Sequence, residues 1–417
     1  MNYMQIATTE NTIYTSPDAS KIFCYTPSII VTPTGRLIVS FDLGGEGVKS
    51  IEGHKSSRAG GSRFGQGKIF ISDDNGQKWT FVQNFPFWHA RLFTIGNSIY
   101  LIGHAGDICI MKSEDNGESW SATYFLTHGE KWHSSACNVL FSNGNVYLAM
   151  EQRCRLNEVT GWDVAGLSPT LFRACVEDNL CLASSWSRSE KFIYKEVFDG
   201  AKLDFFGIPF YDCETNKPKE IATGINNAPL GWLEANVVKF VDKDHIWHTD
   251  LKEVFHLFLR AHTGGVNYAH LFKIEIQDDQ SMVPSLEHTP SGQKISYIPF
   301  PGGHLKFFII YDELTRFYWL VSNQATDSMR RVSSLSNIKR YGLPNNERHR
   351  LQLHFSRNCV DWCFAGMVAC STNDPSAVIK GDDLHIVCRS ADEHALNPQY
   401  NNMITHHIVS NFRQLIY

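Results

Sequence analysis

The sequence predicts an all-β fold made by radial repetition of small antiparallel sheets, and three observations carry that expectation. Short β-rich runs recur along the chain: GRLIVSFDL, GKIFISDD, NSIYLIGH, GDICIMKS, GNVYLAME, LKFFIIYD, RFYWLVSN and DDLHIVCRS, each bounded by Gly, Asn, Asp or Pro. Long amphipathic helical stretches are nearly absent. An eight-residue pattern also returns at about the length of one four-stranded blade.

The runs are joined by tight turns such as Pro33-Thr34-Gly35, Asn143-Gly144-Asn145 and Lys380-Gly381-Asp382, which let one strand fold back on the next. No Ser- or Pro-rich linker divides the chain, so residues 1–417 are expected to form a single domain. The repeated pattern is Ser-x-Asp-x-Gly-x-x-Trp. It occurs at Ser72 to Trp79 and at Ser113 to Trp120, 41 residues apart, with a worn copy lacking the glycine at Ser356 to Trp362. Its Asp can accept backbone amides in the turn, its Gly supplies positive φ, and its Trp packs between sheets. The pattern resembles the Asp box of sialidase-like β-propellers. Asp boxes lie on the rim of the fold, away from the chemistry, so they imply a fold and no particular activity.

Composition sets the outer limits. A chain of 417 residues that is 43% hydrophobic and 19% charged is neither disordered nor a small disulfide scaffold. A net charge of -5 argues against a nucleic-acid binder. No stretch reaches the roughly 18 consecutive apolar residues of a membrane-spanning helix. The opening MNYMQIATTENTIYT has no basic-then-apolar leader, which makes the cytoplasm the expected location, or a secreted or periplasmic one if a leader has been removed. The eleven cysteines are odd in number and show no CxxC spacing. Those at Cys24, Cys109 and Cys388 sit in apolar runs and read as buried thiols.

Further segments narrow the family. In order they are Trp88-His89-Ala90-Arg91-Leu92-Phe93, Trp132-His133-Ser134-Ser135-Ala136, Val146 to Glu151, Ala183-Ser184-Ser185-Trp186 and Trp232-Leu233-Glu234-Ala235-Asn236. Phe300 to Phe307, Tyr318 to Asn323, Arg348-His349-Arg350-Leu351, Arg389-Ser390-Ala391 and Thr405-His406-His407 follow. Taken together, from about residue 30 onward, they resemble the seven-bladed propeller enzymes that cleave L-rhamnose from D-glucuronate in plant gums and arabinogalactan, namely rhamnose–glucuronate lyases and related α-L-rhamnosidases. The resemblance implies seven blades, with six as the alternative, and an oligosaccharide or polysaccharide substrate.

Uronate elimination sets definite chemical demands. The proton at C5 is barely acidic until the adjacent carboxylate is neutralised, a task suited to a bidentate guanidinium. A base must reach that proton and an acid must meet the leaving oxygen, and His can serve as either. His104 follows the strand NSIYLIG and His133 precedes CNVLF, so both stand where strand gives way to turn; they are the expected catalytic pair. Arg260, Arg348 and Arg389 lie at strand ends or in the resembling segment and are expected to hold the carboxylate, unless each pairs with an Asp or Glu of a neighbouring blade. His89 is a further substrate-binding candidate. Glu234 and Asn236 alternate, so both are expected on one strand face toward sugar hydroxyls, with Glu151 in a similar role. Trp88, Trp132 and Trp162 could stack on sugar, although inter-blade packing is their commoner use.

No P-loop, GxGxxG, HExxH or GxSxG is present. No cofactor is expected to be required; the acidic stretch Asp242 to Asp250 is a weak candidate for structural calcium. Three other functions fit the same fold: an α-L-rhamnosidase that hydrolyses, an exo-sialidase, and a non-catalytic glycan-binding propeller. The sialidase would need a Tyr nucleophile paired with Glu and an early Arg-Ile-Pro-like segment, which is not found.

Overall fold

The structure, a computed structural model, describes residues 5–57, 64–160, 162–198, 207–335, 343, 346–397 and 399–417. Six antiparallel sheets follow one another around a ring. The first blade comprises Phe23–Val31, Leu37–Gly44, Phe64–Ser72 and Thr80–Phe85. The second comprises Trp88–Ile95, Ser98–Ala105, Asp107–Ser113 and Tyr124–Phe125. In the third, Trp132–His133 and Leu140–Ser142 both pair with Asn145–Arg153, followed by Leu167–Cys175 and Ser187–Arg188.

The fourth blade is Trp232–Val238, Val254–Ala261, Tyr268–Ile276 and Met282–Ser285. The fifth is Phe308–Asp312, Phe317–Ser322, Arg350–Ser356 and Cys363–Cys370. The sixth takes Thr372–Lys380, Asp383–Ser390 and Met403–Val409 from one end of the chain and Thr9–Thr15 from the other, with Thr9 opposite Ile408. Hydrogen bonds between these distant segments close the ring.

The fold is therefore a six-bladed β-propeller, and the expected count of seven is corrected to the alternative of six. The spacing of 41 residues holds between the first two Asp boxes only. Later blades follow one another at wider and unequal intervals, and the longest gaps between successive blade strands run from Arg188 to Trp232 and from Ser322 to Arg350.

Each of the six interfaces between neighbouring blades holds its own apolar cluster. Ile38 and Ile69 meet Leu92 and Leu101 between the first and second blades, and Ile102 and Ile110 meet Val146 and Leu148 at the next. Tyr147 and Leu171 then face Phe255 and Leu257, while Phe258 and Leu271 face Ile309 and Leu320. Trp319 and Leu353 pack on Ile386, and Val387 and Ile404 on Val39 and Phe41. A strand packed on both faces cannot alternate in polarity, which explains the continuous apolar runs of the sequence. All eleven cysteines are unpaired, and Cys24, Cys109 and Cys388 are buried.

The Asp boxes fold as their composition requires. The Ser72 hydroxyl donates to Asp74 and accepts the Gly76 amide, Asp74 accepts the Lys78 amide, and Trp79 Nε1 donates to Gly76 O at 3.1 Å. The second box repeats these bonds through Ser113, Asp115, Gly117 and Trp120. The worn copy keeps the indole bond, with Trp362 Nε1 donating to Cys359 O at 3.1 Å and Cys359 itself at φ 58°. Gly76 has φ +84°, and a Cβ there would lie 2.3 Å from the His406 ring of the sixth blade.

Four innermost strands break register at the same place. Tyr25 faces Asp42 and Ser28 faces Ser40; Trp88 faces His104 and Arg91 faces Ile102. Leu233 faces Arg260 and Asn236 faces Phe258; Asn373 faces Arg389 and Ser376 faces Val387. In each case three steps on the inner strand span two on its neighbour, the signature of a β-bulge. The bulged residues are Thr26, His89, Glu234 and Asp374, with φ of 41°, 52°, 59° and 52°. A non-glycine residue held there costs on the order of 1–3 kcal/mol.

The residue that ends each bulge stitches one blade to the next. Ser28 Oγ accepts the Leu92 amide, and Ser376 Oγ accepts the Ile29 amide. Arg91, fully buried, donates to Asn138 O and Ala149 O. Asn236 bridges Phe307 O and Ile309 N of the fifth blade, as Asn138 bridges the two backbone groups of Val237.

Candidate functional site

The bulges share one end of the channel, and the residues opposite them on the second strands are Asp42, His104, Arg260 and Arg389. The backbone distortion thus repeats a single device around the ring: a polar side chain in left-handed conformation beside a second polar side chain on the adjacent strand.

One side of this mouth is a histidine cluster. His104 Nε2 lies 3.5 Å from His89 Nδ1. The His133 ring centroid is 5.4 Å from that of His89 and 6.4 Å from that of His104. His133 Nδ1 is 2.9 Å from Glu151 Oε2, and the Glu151 side chain is fully buried. Its other oxygen accepts the amide of Ala235, the residue after Glu234. His89 donates its own amide to Asp42 at 3.1 Å.

The other side is cationic. Asp374 joins Arg348 Nη1 at 3.0 Å and Arg389 Nη2 at 2.7 Å. Arg260 Nη1 is 3.3 Å from Glu234 Oε2, and its guanidinium lies 5.0 Å from the centre of the Trp162 ring. Lys306 reaches across to donate to Pro375 O. Arg260, Arg348, Arg389 and Lys306 thus surround two carboxylates, Asp374 and Glu234, leaving an excess of positive charge. Burial pushes Arg348 down to about 9, only partly offset by Asp374. Burial would raise Asp374, but Arg389, Arg348, Lys306 and Arg260 together hold its carboxyl below the usual range. Burial likewise lowers Lys306. Arg260 donates through Nε and Nη1, and so does Arg348, which leaves one Nη2 of each without a hydrogen-bond partner among the described residues.

The three arginines proposed from sequence do gather at one mouth; Arg348 also takes a carboxylate of the neighbouring blade, the alternative, whereas Arg260 and Arg389 each pair with a carboxylate of their own blade. His89, His104, His133 and Glu151 gather beside them. Glu234 and Asn236 do not share a face, because the bulge between Leu233 and Asn236 breaks the alternation. Asn236 is fully buried and its amide is committed to the fifth blade, which corrects the sugar-binding role expected for it. Trp132 is core, edge-on to Phe172, and Trp88 is also buried. In the acidic stretch, Asp250 pairs with His248 and Lys243, and Asp242 accepts the Asp244 amide. Among the described residues no group of three or more His, Cys, Asp or Glu could hold a metal ion, and no helix is long and apolar enough to cross a membrane.

Sequence reasoning missed Asp374, Lys306, Asp42 and Arg91. A signal for the first was present: Thr26-Pro27-Ser28 and Asp374-Pro375-Ser376 share the form x-Pro-Ser at equivalent positions of two blades.

No protein-family model matches the chain, and no curated protein does. Solved structures match across nearly its whole length. A protein of unknown function from Dyadobacter fermentans DSM 18053 superposes with a TM-score of 0.54 at 12% identity, covering 96% of this chain and 98% of that one. The intramolecular trans-sialidase of Ruminococcus gnavus, solved with oseltamivir carboxylate, gives 0.53 at 10% identity, with 99% of each chain covered. The α-L-arabinofuranosidase of Fusarium graminearum, solved with arabinobiose, gives 0.51 at 10% identity, covering 97% and 98%. The chain has the sialidase-like propeller fold. At these identities the likeness is one of fold.

Proposed function

We propose that the chain is a carbohydrate-active enzyme that cleaves the L-rhamnose–α-1,4-D-glucuronate linkage of plant gum or arabinogalactan chains by β-elimination. The observation that carries this reading is the surplus of guanidinium charge from separate blades directly beside three histidines. Arg260 and Arg348 each offer an Nη2 that has no partner among the described residues to the uronate carboxylate, which lowers the pKa of the C5 proton by spreading the charge of the developing enolate. His133, oriented by Glu151, takes that proton through its other ring nitrogen, in the way a carboxylate orients a histidine base. The C5–H electrons form the C4=C5 double bond, the C4–O bond breaks, and His104, in contact with His89, protonates the departing rhamnose oxygen. The glycan-cleaving neighbours of the same fold support a sugar as substrate.

Hydrolysis is the second reading. It is favoured by Glu151 contacting the residue beside Glu234, which brings two carboxyl-bearing positions close together. The test uses a gum-arabic substrate. Elimination gives free rhamnose together with the ultraviolet absorbance of an unsaturated uronate, and Arg348→Ala lowers kcat/KM by about 100-fold or more. Rhamnose release without that absorbance would establish hydrolysis instead; neither product would end both readings.

A further inference from the structure

A cavity of about 430 Å³ opens between the fifth and sixth blades, with Arg348 in its wall and none of His89, His104 or His133 in its lining. Its size is in the range of small-molecule sites, about 300–1,000 Å³. Arg348, Ser371, Ala391, Asp392, Asn397 and Asn401 contribute to its lining. One buried donor there is left over by the fold's own hydrogen bonds among the described residues. Asn401 is fully buried; its Oδ1 accepts from Asn373, but its Nδ2 has no hydrogen-bond partner among the described residues. Arg348 also stands in the cavity wall, and its Nη2 has no hydrogen-bond partner among the described residues. A buried donor without an acceptor costs about 1–3 kcal/mol, so a ligand that supplies one recovers that loss. Asp392 bonds to the His394 amide and the Asn402 amide group through Oδ1 only, leaving Oδ2 as an acceptor.

We infer that this cavity is a second sugar subsite that holds a neutral pyranose adjoining the uronate. Donors from Asn401, Arg348 and Ser371 beside an acceptor from Asp392 suit a set of vicinal hydroxyls. A second anion is disfavoured, because the cavity wall carries the Asp392 and Glu393 carboxylates. One guanidinium would then stand between two sugars, which fixes their order along the chain. The inference rests on the uronate reading and deepens it by assigning the next residue of the substrate.

The test is Ala391→Phe, which fills the cavity without touching the histidine cluster, with Asp392→Asn as a milder second variant. Turnover is measured on the rhamnosyl-glucuronate disaccharide and on a gum-arabic tetrasaccharide that contains it. The expected result is a kcat/KM about tenfold lower for the tetrasaccharide, with the disaccharide unchanged and Tm retained. Equal loss on both substrates, or loss on neither, overturns the subsite. If wild-type protein turns over neither substrate, the uronate-cleaving reading fails by itself. Calorimetric titration of the tetrasaccharide then still decides the subsite: binding that Ala391→Phe abolishes supports it, and binding that is absent or equal in both proteins overturns it.

Discussion

His133 Nδ1 stands 2.9 Å from Glu151 Oε2, and Glu151 is fully buried. A buried carboxylate deprived of its partner is costly, about 3–5 kcal/mol. His133→Ala is therefore expected to lower both kcat, by about 100-fold or more, and Tm. Adding Glu151→Gln should restore much of the Tm while leaving kcat low. Thermal melts and initial rates on the two variants check this, and unchanged turnover in His133→Ala would remove it as the base.

The bulged positions offer a different separation of stability from activity. Thr26 is β-branched at φ 41°, a conformation that glycine adopts without steric cost. Thr26→Gly is expected to raise stability by about 1 kcal/mol. Glu234→Gly relieves similar strain at φ 59° but strips the buried Arg260 of its carboxylate, so activity and stability should both fall. Urea denaturation with rate measurements distinguishes the two. A clear loss of stability in Thr26→Gly would show that the bulge is not strained.

Buried histidines set the acid limit. Burial lowers His262, His270 and His406 to about 3, and His354, His385 and His407 to about 4, from the ordinary 6.5. The unfolded chain binds protons near pH 6.5 while the folded chain does not, so this contribution is fully present above that pH and falls away toward pH 4 to 3. Tm measured across this window should decline steadily from about pH 6.5 downward. A flat profile between neutrality and about pH 5 would contradict it.

Two glycines of similar backbone angle should behave differently. Gly35 has φ +85° and open space where a Cβ would stand, whereas a Cβ on Gly76 would strike the His406 ring. Gly35→Ala should cost about 1 kcal/mol from conformation alone, and Gly76→Ala about 2–4 kcal/mol as the clash is added. Equal Tm losses would mean that the first Asp box yields freely against the sixth blade.

Much of the architecture was legible because it is local. Ser72 to Trp79 and Ser113 to Trp120 encode their turns within eight residues, and the apolar runs report burial on both faces. The number of blades was not, since it depends on how much chain separates one blade's strands from the next, which no local pattern fixes. Arg260, Arg348 and Arg389 could be nominated from strand ends, but their carboxylate partners are remote in sequence: Arg389 and Asp374 meet only through strand pairing. Asn236 was misassigned because simple alternation fails across a bulge, and a bulge at Glu234 has no signature stronger than the Ala235 that follows it.

The pairing of Thr9–Thr15 with Met403–Val409 has a consequence for biogenesis. The first of these segments is made nearly 400 residues before its partner exists, so it must wait, unzipped, until that partner has been synthesised. Five sheets can assemble in the order of their synthesis, but the last one cannot. A nascent chain arrested before residue 403 should therefore be an open arc that chaperones retain, and release from it should coincide with the final hairpin rather than with gradual gain of compactness.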